Sequence, residues 1–503
     1  MFSVIAAAVL STQTIDGSVT IEGGDYAIAT FEVPEGAVEI VISRTVADSA
    51  NVLDFGVYSP DGFRGWGGGL TEDAIIGVAE SSRGYLPGPL PAGTWQVVVG
   101  KAKLVVTPAD YQIIVTVTDD ATLNVRQRAA FADAALEVGA RWYAGDLHVH
   151  SNESGDASAS FAEIAALAQE RGLDFVALSD HNTVSQHALT EAFQPAAGPL
   201  LMRGNEVTTY GGHGNALGAA APIDHRVGFE GRTIDAIIAD VADAGGAFII
   251  NHPALDLGSA CIGCAWQAES TPYSMVTAIE IQTGPFALTE VFGRPARELW
   301  DAILDDGFKV TAVGGSDDHK AGVDLSVDQS PIGSPTTLVY ADELSESAIT
   351  AGIAAGRVVV LLSGPDDPRV ELNAVSDSGE TAMIGDTIGG DRVTIEAHVV
   401  GGDGASAILV VSGEEGEVLP IVSDDARVEF VVSVPTVGAR YRVHVSDAGQ
   451  LRTVTNHVFV DYVEGPGQGC GCSSAPDDHG FFSGLLILVC IAASRLRRSR
   501  SKR

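Results

Sequence analysis

Basic side chains are scarce in this chain. Its 503 residues hold 29 lysines and arginines against 66 aspartates and glutamates, a formal net charge of −37. A field of that sign repels phosphate backbones and acidic lipid headgroups, which argues against unassisted binding to nucleic acid or to an anionic membrane surface. It also concentrates divalent cations. Cysteine is sparse as well, at five residues. Cys261-Ile-Gly-Cys264 is a lone C-x-x-C, and two cysteines do not close a zinc site by themselves. A small local disulfide pinning a loop is the favoured expectation, with thioredoxin-like redox chemistry second. No G-x-S-x-G occurs, so the signature of a serine nucleophile on a strand-to-helix elbow is missing. No internal repeat or long low-complexity stretch stands out. What is present is a folding chain: 46% apolar and 19% charged residues supply an ample core, and the length suggests about three domains.

The two ends read as export machinery. Phe2 to Leu10 is a short apolar run without a basic start, and residues 1–13 are expected to be a signal peptide. At the other end, Gly469-Cys470-Gly-Cys472 and a polar spacer precede the apolar run Phe481 to Ala493. Arg495, Arg497, Arg498, Arg500, Lys502 and Arg503 then close the chain. The apolar run is shorter than the ~20 residues of a comfortable membrane span, and the arginines would hold that end in the cytoplasm. Residues 463–503 resemble a cysteine-containing sorting signal of the myxobacterial type, with a plain tail anchor as the alternative. Either reading places the body of the protein outside the cytoplasm, at the cell surface or outer envelope, with the tail meeting membrane and sorting machinery.

Between these ends the texture changes twice. Residues 14–120 alternate branched or aromatic with polar residues, with strands expected at Tyr26 to Val33, Ala37 to Arg44, Val52 to Tyr58, Thr94 to Val99 and Tyr111 to Val117. Pro-Glu-Gly, Ser-Pro-Asp-Gly and Pro-Ala-Gly supply turns, so an all-β sandwich that carries or shields the next domain is expected. Residues 121–142 read as a connecting helix closed by Gly139. From 143 to 364, apolar strands (Phe175 to Leu178, Leu200 to Met202, Ala247 to Ile250, Ala278 to Ile281, Val310 to Val313) alternate with helices at Ser160 to Arg171, Thr233 to Ala244 and Pro295 to Asp305. That alternation predicts a parallel α/β barrel, with a functional rim where the strands end. Residues 365–462 read as a second sandwich, in which His398, His444 and His457 stand isolated in strand patterns and are taken as structural or surface residues.

Eight of the twelve histidines lie between His148 and His319, most in short polar runs that close the apolar stretches. The runs are Asp146-Leu-His148-Val-His150, Ser179-Asp180-His181-Asn182, Gly212-His213-Gly-Asn215, Asn251-His252-Pro253 and Ser316-Asp317-Asp318-His319. Residues two apart on a strand point the same way, so His148 and His150 can chelate one ion, and Asp317 with His319 repeats the spacing. Glu206 follows another strand, and its two oxygens suit a bridge between cations. Imidazole with carboxylate is a ligand set for Zn²⁺, Mn²⁺ or Fe, and five such clusters at strand ends point to a multinuclear metal-dependent hydrolase. Asp180 reads as a carboxylate orienting an imidazole, or as a helix cap. Arg203 and Lys320 stand beside presumed ligands, where each is a candidate phosphate clamp or a salt-bridge partner. Glu280 and Gln282 share a strand face and either line the pocket or satisfy each other. His187 and His225, outside the motifs, are taken as surface residues.

The ordered set HxH, SDHNT, GNE, GHGN, NHP, SDDH resembles the polymerase-and-histidinol-phosphatase (PHP) superfamily, over about Tyr143 to Val460. Gly212-His213-Gly-Asn215-Ala-Leu-Gly218, Glu206-Val-Thr208-Thr209 and Thr455-Asn456 resemble its CehA/McbA-type metallohydrolases more closely. The resemblance implies a distorted seven-stranded (β/α) barrel flanked by the two sandwiches and holding two or three divalent ions. One ion would take His148, His150, Glu206 and Asp317. Glu206 would bridge to a second, bound by His213 and His252. A third would take Asp156, His181 and His319, although the family's Ser-Asp-Gly stands here as Gly155-Asp156-Ala157. Glu206, Asp317 and Asp180 would be the carboxylates at the reacting centre. A metal-activated hydroxide would attack a small-molecule ester with no covalent protein intermediate. A phosphoester is the first expectation, a carbamate or carboxylic ester the alternative, and a non-catalytic surface binding protein a third.

Overall fold

The computed structural model describes residues 8–268, 270–322 and 331–464. Residues 1–7 of the expected signal peptide lie outside the described residues, as do residues 465–503 of the tail, with Cys470, Cys472 and Cys490. Among the described residues, no helix is long and apolar enough to cross a membrane.

The N-terminal region is two four-stranded antiparallel sheets packed face to face. One orders Val9–Val19, Ala109–Thr118, Glu39–Val46 and Ala74–Gly77; the other orders Tyr26–Val33, Gly93–Lys103, Val52–Ser59 and Gly62–Trp66. Period-two alternation explains the packing: Tyr111, Ile113, Val115 and Val117 turn inward on one strand, while Gln112 and Thr116 between them do not. Trp95, Ile40, Ile76 and Phe55 fill the space between the sheets. The range read as a signal peptide needs correction, because Val9 to Gln13 belong to a strand registered against Val115 to Thr118.

The expected connecting helix is also corrected. Residues 121–136 contain no helix, and a strand begins at Glu137. The segment's polar groups are used elsewhere: the Arg126 N–H donates to Glu80 Oε2 at 2.7 Å, the Ala129 N–H to the Ala188 carbonyl and the Leu136 N–H to the Leu344 carbonyl, both at 2.9 Å. The guanidinium of Arg128 meets Glu80 at 2.6 Å, and that of Arg126 bridges Glu80 and Glu153. Partners distant in sequence thus replace the i−4 carbonyls that a helix needs.

The central strands form no closed barrel. Leu200–Arg203, Phe175–Leu178 and Glu137–Val149 run parallel, then continue through antiparallel Thr336–Leu344 and Val358–Leu361. The outer edge of Val358–Leu361 is taken by Gln450–Thr455, so this sheet runs on into the C-terminal region. A second, five-stranded sheet orders Glu206–Thr209, Gly212–Leu217, Ala247–Ile250, Ala278–Thr283 and Thr311–Gly315. Among the described residues, two isolated parallel bridges, His181 with Glu206 and Val149 with Asp318, link the two sheets, and both lie at the clusters of ligand-type residues.

Two helices start where their caps predict. Ser160 and Glu163 form a reciprocal capping box for Phe161–Glu170, and Thr233 caps Ile234–Asp243. The third begins at Phe286, not at Pro295, which sits inside the helix Phe286–Asp305. Its buried Trp300, Ile303 and Leu304 join the core under the strand Ala278–Thr283, and this packing outweighs the lost N–H of proline.

The C-terminal region pairs a four-stranded sheet (Thr381–Met383, Arg369–Ser376, Arg392–Val400, Asp425–Ser433) with the extension of the central sheet. One buried apolar cluster runs from Val149 and Ile164 through Phe430 to Val460, so no core boundary falls at residue 364. Asn456 stitches the regions together. Its Oδ1 accepts the Ala312 N–H, and its Nδ2 donates to the carbonyls of Ala312 and Val358. His444 and His457 both contact the guanidinium of Arg442, and His398 meets Asp425 at 2.7 Å.

Candidate metal centre

The nine residues expected to hold metal come together. His148 is the penultimate residue of the strand Glu137–Val149, and His150 follows two residues on, so both rings leave on one face with their Nε2 atoms 3.2 Å apart. His181 follows Phe175–Leu178, His252 follows Ala247–Ile250, and Asp317 and His319 follow Thr311–Gly315. Each strand thus delivers its polar residues to the same end. Asp317 (φ +59°) and His252 (φ +27°) sit in left-handed backbone, an uncommon conformation for residues with a Cβ, of the kind that collects at functional sites.

Glu206 is the hub and is fully buried. Its oxygens lie 2.8 Å from His181 Nδ1, 3.0 Å from His252 Nε2, 3.3 Å from His213 Nδ1, 3.4 Å from His148 Nε2 and 3.5 Å from His150 Nε2. Asp317 Oδ1 stands 3.0 Å from His150 Nε2 and 3.2 Å from His148 Nε2. Burial alone would raise the Glu206 carboxyl, but His148, His181 and His213 outweigh it and hold it well below the usual range. Glu206 Oε2 and His213 Nδ1 still make no hydrogen bond of proper geometry among the described residues. Five imidazole nitrogens crowd this one buried carboxylate, and not all of its lone pairs are satisfied by them, an arrangement that suits a shared cation.

Two ligand sets follow from proximity: His148, His150, Glu206 and Asp317; and His150, His181 and His319. Asp156 borders the latter, with Oδ2 at 3.2 Å from His181 Nε2 and 3.5 Å from His319 Nε2. A third grouping joins His213 and His252 with Cys264, but that sulfur is bonded to Cys261 and is unavailable to a metal. The disulfide loop contributes carbonyls instead. His213 Nε2 lies 3.1 Å from the Ile262 oxygen and His252 Nδ1 3.1 Å from the Cys264 oxygen, which directs the other nitrogen of each ring at Glu206.

Glu280 has a role that its pairing with Gln282 in the sequence did not reveal. Its Oε1 lies 2.9 Å from His148 Nδ1, while Oε2 accepts the His252 N–H at 2.8 Å and the Thr283 hydroxyl at 2.7 Å. Asp146, in the same run as His148, accepts the N–H groups of His148, Ser316 and Gly333, and burial pushes its carboxyl up to about 6. The spacing of Asp146 from His148 was a readable signal; the carbonyls of residues 262 and 264 left none.

Other expectations need correction. Asp180 orients no imidazole. It accepts the N–H and hydroxyl of Ser151, both at 2.7 Å, bracing the loop after His150, and burial raises it to about 7. Arg203 is not at the centre: it pairs with Glu346 at 2.7 Å and lies over the Phe131 ring. Lys320 follows His319, with its backbone N–H on Asp318 Oδ1. His187 is half-buried, with Nε2 3.0 Å from the Gly204 carbonyl, and His225 is buried against Trp66. His225 is therefore not a surface residue, and His187 is only partly one.

No family model matches the chain, and no curated protein matches it. Among solved structures it is similar to a two-domain protein from Bacteroides vulgatus containing a predicted PHP-like metal-dependent phosphoesterase. That match has 18% identity, covers 67% of this chain and 100% of the other, and has a TM-score of 0.35. It is also similar to a Bacteroides uniformis beta-glucuronidase, at 10% identity over 91% of this chain and 61% of the other, with a TM-score of 0.19. Both likenesses are remote.

Proposed function

We propose that the protein is a metal-dependent hydrolase of the PHP type, acting first on phosphoesters, with two or three divalent ions such as Zn²⁺, Mn²⁺ or Fe held by the nine converging residues. The observation that carries this reading is Glu206: a fully buried carboxylate with five imidazole nitrogens within 3.5 Å. His148, His150, Glu206 and Asp317 would hold one ion, Glu206, His213 and His252 a second, and Asp156, His181 and His319 a third. Bound divalent ions supply Lewis acidity and lower the pKa of a water. The chain's own contribution is alignment: Glu280 and the carbonyls of Ile262 and Cys264 fix the ring orientations. The Cys261–Cys264 bond supports the reading of an exported protein.

Carbamate or carboxylic esters would use the same centre. His148→Ala combined with His150→Ala is expected to abolish hydrolysis of aryl phosphomonoesters, phosphodiesters and carbamates. It should also lower the metal content found by elemental analysis. Full turnover in the double variant sinks the assignment.

A further inference from the structure

A cavity of about 630 Å³ opens onto the metal centre at Asp156, His181 and His213, and its opposite wall belongs to the N-terminal sandwich. We propose, on the basis of the hydrolase reading above, that this sandwich completes the substrate pocket. In it, Trp66 and His225 select esters whose leaving group is a flat, uncharged ring bearing a hydrogen-bonding substituent.

The wall is built, not incidental. Trp66 ends the strand Gly62–Trp66 and is buried. Glycines cut its seat: a Cβ at Gly56 would stand 2.1 Å from the indole, and one at Gly100 would stand 2.3 Å from the Tyr210 hydroxyl and 3.4 Å from Trp66. The shelf Gly67-Gly68-Gly69 that follows presents backbone to the cavity, and Leu70 beyond it lies where a Cβ on Gly155 would meet it at 2.9 Å. The glycine shelf therefore rests on the loop that carries Asp156. Further contacts pin sandwich to rim: the Thr183 hydroxyl donates to the Gly84 carbonyl, Arg83 to the Ala157 carbonyl, and the Tyr210 hydroxyl to Asp54 at 2.8 Å.

His225 supplies the independent sign of a ligand. It is 1% exposed, its ring stands edge-on to Trp66 with centroids 4.3 Å apart, and it lines the cavity. Neither ring nitrogen has a hydrogen-bond partner among the described residues. Buried polar atoms without partners are costly and uncommon, and a pocket-lining imidazole left this way is a recognition group awaiting its ligand. Burial drives its pKa down to about 3, so the ring is neutral, with one donor and one acceptor to offer.

The chemistry of the ligand follows from the lining. Trp66, Val52, Leu70, Ala102 and Ile262 give an apolar surface, and the volume falls within the range of small-molecule sites. Asp54 and Glu72 face the same space, and the guanidinium of Arg83 there is already paired with Glu72 at 2.9 Å. An anionic leaving group would be repelled. A planar ring lies against indole and glycine backbone, and a hydroxyl or amide on it can satisfy His225.

The test compares 4-acetamidophenyl phosphate with ethyl phosphate, a small phosphomonoester without a ring, on the metal-loaded full chain. Trp66→Ala should lower the ratio of kcat/KM between the two by about tenfold or more, chiefly through KM, since a ring's apolar contact is lost. His225→Leu should act likewise, and His225→Gln, which keeps a donor and an acceptor, should recover part of the ratio. Calorimetry of 4-acetamidophenol with the metal-stripped protein gives a readout free of chemistry: affinity should fall in Trp66→Ala and in His225→Leu. If the variants leave both the ratio and this affinity at wild-type values, the pocket assignment is overturned. If no ester is cleaved by the wild type while 4-acetamidophenol binding still depends on Trp66 and His225, the hydrolase reading fails and the pocket stands.

Discussion

Replacing Glu280 with glutamine isolates the alignment of the proposed metal ligands from the ligands themselves. The native carboxylate accepts three hydrogen bonds: Oε1 from His148 Nδ1 at 2.9 Å, and Oε2 from the His252 N–H at 2.8 Å and the Thr283 hydroxyl at 2.7 Å. An amide of the same shape has one acceptor end and one donor end. If its oxygen faces His252 and Thr283, its NH₂ faces His148 Nδ1. That ring must then carry its proton on Nε2, the atom that looks toward Glu206, Asp317 and His150. If the amide is turned over, its NH₂ meets the His252 N–H head-on, at a residue already in left-handed backbone. Neither orientation preserves the native set. Loss of such an orienting partner costs about 10–100-fold in metal affinity, equivalent to about 1.4–2.7 kcal/mol. Competition against a chelator, with the bound metal quantified by elemental analysis, measures the loss. Glu280→Gln with native metal affinity would refute the claim that this carboxylate fixes the His148 tautomer.

Two further outcomes are expected. Opening the Cys261–Cys264 bond, by reduction or by paired Cys→Ser changes, frees the loop whose carbonyls hold His213 and His252, and should weaken by about tenfold the binding of the ion proposed for those two residues; chelator titration of oxidised and reduced protein giving the same curve would count against it. Burial opposes ionisation of Glu80, but Arg126 and Arg128 outweigh it and bring its pKa from 4.5 to about 2, so its stabilising contribution is fully present above pH 4.5 and is lost as pH falls through about 2. The Glu80→Gln variant should therefore be less stable in urea at pH 7 by at most ~3 kcal/mol, with a gap that narrows below pH 4.5; a gap independent of pH contradicts this account.

The sequence reading erred where local pattern lacked knowledge of distant partners. Residues 121–136 have helical composition, yet Arg126 and Arg128 are drawn to Glu80, 46 and 48 residues away, and Arg126 also to Glu153. Of the two roles open to Arg203, phosphate clamp or salt-bridge partner, the structure shows the second, and the partner, Glu346, lies far along the chain. Alternating strands and helices suggested a closed barrel. The edge strand Val358–Leu361 instead pairs with Gln450–Thr455, and hydrogen-bonding edges are satisfied by whichever strand arrives, which a one-dimensional pattern does not specify.

The candidate metal ligands were legible in the sequence: strand periodicity points His148 and His150 the same way, polar runs mark where strands end, and the resemblance of the ordered motifs to a known family supplied the grouping of the rest. The strands of the N-terminal sandwich were legible for the same reason, since alternation is a local property. Only tertiary structure decided that one buried carboxylate, Glu206, gathers five imidazoles, that Glu280 and two loop carbonyls aim them, and that Trp66 from a separate sandwich faces His225. Those relations depend on packing between residues tens to hundreds of positions apart, and side-chain periodicity carries no information over that distance.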